Sequence, residues 1–105
     1  MTTVVVQIGN SDDKLTQQEW SHFCDYVDEY IHLYASKIYF SGYSDPKEEW
    51  QNAAWIFEIP YNQFHRPTSE EKLSLWEGLE KACKWFKQDS IAWTEGTTEF
   101  ITPSI

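Results

Sequence analysis

Three short stretches of this sequence are rich in oxygen-bearing side chains: Asn10-Ser11-Asp12-Asp13, Ser44-Asp45 and Asp89-Ser90. Carboxylates and amides brought together in this way are the ligands that Ca²⁺ and Mg²⁺ prefer. Each stretch also has the composition of a solvated turn or a helix cap, which accounts for it without an ion. No EF-hand spacing is present, so no metal is assigned. His22, His32 and His65 form no HExxH or Cys/His zinc pattern. Cys24 and Cys83 lie far apart and form no CxxC, which reads as two reduced core thiols. Phosphate loops, dinucleotide fingerprints and nucleophile elbows are missing as well. No catalytic residue and no cofactor is therefore assigned. A structural homo-oligomer is one alternative, and a site that binds or acts on a small ligand such as a nucleotide is another. The ligand site would use Asn10, Ser11, Asp12, Asn52, Asp89 and Ser90, flanked by Trp50 and Trp93.

The elements that must position these groups follow from periodicity. Over residues 3–9, Val4, Val6 and Ile8 alternate with Thr3, Val5 and Gln7, which predicts a strand. The cluster from Gly9 to Asp13 ends it. Thr16-Gln17-Gln18-Glu19 fits a capping box, with Leu15 and Trp20 placed as a hydrophobic staple. The helix it opens runs to about Ala35 and buries Trp20, Phe23, Cys24, Val27, Ile31 and Tyr34. Asp25, Asp28, Glu29 and His32 lie mostly off that stripe. A second strand is predicted over Lys37–Ser41, broken at Gly42–Pro46. A third covers Asn52–Ile59, and residues 60–67 form a loop. Thr68-Ser69-Glu70-Glu71 opens a second helix. Its stripe is Leu73, Trp76, Leu79, Cys83 and Phe86, widened by Leu75 and Ala82. Ser90–Thr94 is a fourth strand, and Glu95-Gly96 is a hairpin turn leading to a short fifth strand over Thr97–Ile101.

This order is α+β, the split βαββαβ pattern of ferredoxin-like folds, in one domain over residues 1–105. Right-handed crossovers place strands one and three centrally, with strand two beside three and strand four beside one. Both helices then cover one face of an antiparallel sheet. The loop after strand one, the turn between strands two and three, and the loop after helix two share one end. Asn10, Ser11, Asp12, Asp13, Asp45, Asp89 and Ser90 therefore converge on one rim. Strand three is apolar on both sides, with Trp55, Phe57 and Ile59 on one and Ala54 and Ile56 on the other. Helices bury only one side, so the open face calls for a cover. A second copy in a homodimer, contacting Tyr39, Trp55, Phe57 and Trp93, is one solution. A loop or the C-terminal tail closing over the face is the other.

A formal net charge of −9 and a pI near 4.6 oppose binding to nucleic acid and to anionic membranes, and favour a basic protein partner. No apolar run approaches a membrane span, and the N-terminus lacks the pattern of a signal peptide, so the expected location is cytoplasmic. Helix one carries Glu19, Asp25, Asp28 and Glu29 with no Lys or Arg, so Asp25, Asp28 and Glu29 are the expected contact with that partner.

The stretches Ile8-Gly9-Asn10-Ser11-Asp12, Trp50-Gln51-Asn52-Ala53-Ala54-Trp55 and Asp89-Ser90-Ile91-Ala92-Trp93 resemble small proteins of bacteria and their phages. In size, fold and charge the chain also resembles acidic phage anti-defence proteins, including anti-CRISPRs, and small bacterial immunity proteins. The charge of −9, the aromatic content and the missing catalytic motifs lead to the expectation of a non-enzymatic inhibitor that occupies a basic surface of its target, the manner of action these proteins share.

Overall fold

Strand β1 (Thr2–Gly9) is built on Val4, Val5, Val6 and Ile8, and in the computed structural model it is one of the two central strands of the sheet. The structure describes residues 2–10, 15–45, 51–59 and 69–104. Helix α1 (Gln17–Tyr34) follows, then β2 (Lys37–Tyr43), β3 (Asn52–Glu58), α2 (Ser69–Trp85) and β4 (Ala92–Thr97). The four strands are antiparallel in the order β2-β3-β1-β4. The fold is α+β, with two helices packed together over one face of the sheet.

Register decides which face is covered. Val4, Val6 and Ile8 lie opposite Phe57, Trp55 and Ala53, and all six are buried beneath the helices. Trp55 and Phe57 are 1% and 0% exposed, so these two expected contact residues belong to the chain's own core and cannot meet a partner. Their bulk made them look like a surface waiting for a cover. The alternation of β3 instead turns Ala54 and Ile56, its smaller apolar residues, to the uncovered side. The open face carries the rows Phe40-Ile56-Val5-Thr94 and Gly42-Ala54-Gln7-Ala92 across the four strands. A bulge between Ile38 and Phe40 lets β2 place Ile38 toward the core and Phe40 on the open side.

The start of α1 is fixed as its sequence implies. Thr16 Oγ1 accepts from the Glu19 backbone N–H at 3.1 Å, and Glu19 Oε1 accepts from the Thr16 N–H at 3.0 Å. Trp20, Phe23, Cys24, Val27 and Ile31 fill its buried side, and Leu15 is buried just before it.

Helix α2 is rotated relative to the expected stripe. Leu75, Leu79 and Ala82 are buried, whereas Leu73 is 58% and Trp76 41% exposed. Gly78 explains the rotation. The Tyr30 ring of α1 fills the space where a Gly78 Cβ would stand, so the bare backbone at this position is the contact surface between the helices. The helix ends on Lys87 at φ 54, with the Gln88 N–H bonded to the Cys83 carbonyl and the Lys87 N–H to the Lys84 carbonyl. This is a Schellman ending in which lysine stands at the position glycine usually takes.

The expected hairpin at Glu95-Gly96 does not form. Both residues continue β4, opposite Val4 and Thr3, and no glycine among the described residues has positive φ. Lys72 of α2 bonds the Glu95 carboxylate at 2.7 Å, which holds Glu95 on the helix side of the strand. Residues 98–104 carry no strand, so the fifth strand is absent from the described residues.

Candidate functional site

The ends of β1, β3 and the α2–β4 loop do meet, as the element order implies. Gln7, Gly9, Asn52, Gln88, Asp89 and Ser90 line an open polar pocket of about 370 Å³ between them. The Asn52 amide crosses close above Gly9, whose missing Cβ would otherwise lie 2.9 Å from its oxygen. Asp89 and Ser90 are exposed on this rim, and Asp45 is exposed at the end of β2. Ser11, Asp12 and Asp13 lie outside the described residues, as does Trp50.

Asn10 departs from the rim that was expected to include it. It is 4% exposed, and its side chain is used up within the fold. Its Oδ1 accepts from the Leu15 N–H at 3.0 Å. Its Nδ2 donates to the Leu15 carbonyl at 3.0 Å and to Gln51 Oε1 at 3.1 Å. Gln51 in turn exchanges amide hydrogen bonds with Gln17 at the start of α1. This clamp ties the end of β1, the entry to β3 and the first turn of α1 together. Nothing in the spacing of Gln17 and Gln51 signalled it, because the two meet only through the sheet.

The acidic side of α1 divides into two parts. Asp25 and Glu29 are exposed. Asp28 is partly buried: its Oδ1 accepts from the Trp55 indole N–H at 2.9 Å, and His32 Nδ1 lies 3.4 Å away. His32 Nδ1 also donates to the Asp28 backbone carbonyl at 2.9 Å. Asp28 thus anchors the buried tryptophan, and Asp25 and Glu29 present the outward charge. At the head of the helix, the Thr16 backbone N–H holds the Glu19 carboxyl below its ordinary value.

Neither cysteine has the environment of a nucleophile. Burial, reinforced by the charges of Asp25 and Asp28, pushes the Cys24 thiol up to about 12. Burial also raises Cys83, with the Glu80 charge adding to it. A thiol kept protonated at neutral pH is a poor nucleophile. The two line different grooves. Cys24 sits beside Trp20 and Tyr43, and Cys83 beside Leu79, Ile91 and Trp93. The second of these grooves is apolar and encloses about 180 Å³.

Tyr39 is exposed near the bulge of β2, with the Lys37 ammonium 5.0 Å from its ring. Trp93, expected on the open face, is on the helix side. It lies opposite Val6, edge-on to Phe57, and 5.2 Å from the Trp76 ring of α2. The strand register was one residue from the alternative, and pairing with Val6 sends Trp93 inward.

Among the described residues, no three His, Cys, Asp or Glu side chains gather as a metal site, and no helix is long and apolar enough to cross a membrane. No protein-family model matches this chain, and no curated protein does.

Proposed function

We propose that this chain is a non-enzymatic, acidic protein-binding inhibitor of phage anti-defence or immunity type, acting by occupying a basic surface of its target. The supporting observation is the outward side of α1, where Asp25 and Glu29 are exposed on a helix that carries no Lys or Arg. The opposite side of that helix is locked into the core by Trp20, Phe23, Val27 and Ile31, and by the Asp28–Trp55 bond. A rigid acidic helix steers a basic partner and loses little entropy on docking. The strand order and the paired helices also support the ferredoxin-like reading of the fold, in which α1 is a covering helix with one side free. Pull-down from bacterial lysate at low and moderate salt is the test. A basic protein retained by the native chain and lost on Asp25→Asn/Glu29→Gln supports the reading. Recovery of no basic protein at either salt rejects it.

A second reading rests on the polar pocket of about 370 Å³ lined by Gln7, Asn52, Gln88, Asp89 and Ser90. Its amides and carboxylate suit a small polar ligand, and a nucleotide is the first class to try. Calorimetric titration with nucleotides, cyclic nucleotides and nucleosides discriminates the two readings. Saturable heat abolished by Ser90→Trp favours the pocket, and its absence favours the inhibitor.

A further inference from the structure

We infer that the helix-free face of the sheet is a self-association surface whose occupant is a second copy of this chain. The row Phe40-Ile56-Val5-Thr94 crosses the middle of that face. Phe40 is 54% exposed. Val5 and Ile56 are partly exposed beside it. Both helices lie on the other side, so their burial does not extend to this row.

Charge selects the occupant. Among the described strand residues of this face, Lys37 and Glu58 are the charged ones, and they lie directly opposite each other in the β2–β3 register. The face is therefore neutral on a chain whose net charge is −9. A basic partner would find no excess of carboxylates here to read, and an acidic one no excess of cations. Nucleic acid would meet a single lysine. Two copies of a strongly acidic chain repel each other wherever their carboxylates face, and they meet without that repulsion on a neutral apolar surface. A two-fold pair of sheets stacked about 10 Å apart satisfies both copies equally. The inference goes beyond the inhibitor reading and uses a different surface from α1.

The association should be weak. Four strands about 4.8 Å apart, with some six residues each, offer a footprint of roughly 400 Å² per copy. That is about half the 800 Å² per partner of a standard stable complex. A footprint of that size suits a transient pair, so association is expected only at high protein concentration.

Sedimentation equilibrium of the full chain, from a few micromolar to about 1 mM, tests this. The expected result is a mass that rises from 12.5 kDa toward twice that value, more readily as NaCl screens the residual repulsion. Ile56→Glu should weaken the association at least tenfold. Because Ile56 is partly buried, Gln7→Glu is the second variant: Gln7 is exposed on the same face and its replacement leaves the core untouched. The Asp25→Asn/Glu29→Gln variant should still self-associate, which separates this surface from the one on α1. A monomeric mass throughout the range overturns the inference. So does self-association that survives both Ile56→Glu and Gln7→Glu.

Discussion

Asn10 shows how a polar residue in a motif-like stretch can be wholly structural. Its side chain makes three hydrogen bonds in a position where water cannot replace them. Replacing it with Ala leaves the Leu15 N–H and carbonyl unpaired, and each buried unpaired group costs about 1–3 kcal/mol. Asn10→Ala should thus lower stability by roughly 2–4 kcal/mol, read as a shift of the urea midpoint with unchanged slope. Cys24 supports a pH prediction. Its folded thiol ionises near 12 against an ordinary value of 9.0. The unfolded thiol loses its proton first as pH rises, so the stability due to the buried neutral form is complete below about 9 and drains away toward 12. Urea unfolding followed from pH 8 upward should show a falling midpoint, and Cys24→Ala should flatten the fall.

At the scale of elements, the ends of α2 and its contact with α1 carry the clearest consequences. Lys87 stands in the left-handed region, where a side chain costs about 1 kcal/mol that glycine avoids. Lys87→Gly should raise stability by about 0.5–1 kcal/mol, seen as a higher thermal midpoint. Gly78→Ala should do the opposite, although alanine is the better helix former by about 1 kcal/mol. The Tyr30 ring occupies the space the new methyl needs, so a net loss of roughly 1–3 kcal/mol is expected, relieved in a double-mutant cycle by Tyr30→Leu. These two positions also mark the limits of sequence reading. The capping box of α1, the alternation of β1 and β3 and the pairing of β1 with β3 and β4 were legible, because each is a local pattern or follows from element order. The rotation of α2 was not, because its bulky residues outweigh a glycine in any count of apolar positions. The false hairpin at Glu95-Gly96 arose because a turn-forming pair is equally compatible with an edge strand when a lysine on another element holds the acidic residue. Of the candidate sites, the meeting of the ends of β1 and β3 with the α2–β4 loop was readable from topology. The Gln17–Gln51 clamp and the inward turn of Trp93 depend on contacts and register that no local spacing encodes.

For the whole molecule, the uneven distribution of charge matters more than its total. The outward side of α1 is acidic while the open sheet face is neutral, so the two surfaces should answer salt in opposite directions. Association of a basic target through α1 should slow as NaCl is raised. Asp25→Asn/Glu29→Gln should reduce the association rate roughly three- to tenfold at low salt and flatten its salt dependence. Stopped-flow mixing with the target isolated by pull-down measures both. An unchanged rate would remove α1 from the contact.

The place of β1 in the sheet also sets the order of events in folding. Val6 pairs with both Trp55 and Trp93, so the central strand completes its ladder only when segments far along the chain return to it. Contacts between α1 and β1 are local by comparison, and those to β4 close the largest loop. Such distant pairings slow two-state folding relative to a helical chain of equal length. During synthesis, β1, α1, β2 and β3 emerge before β4, leaving one edge of the central strand exposed for that interval. The β-branched run Val4-Val5-Val6, shielded on both edges in the finished sheet, is thus the segment most open to mispairing in the nascent chain.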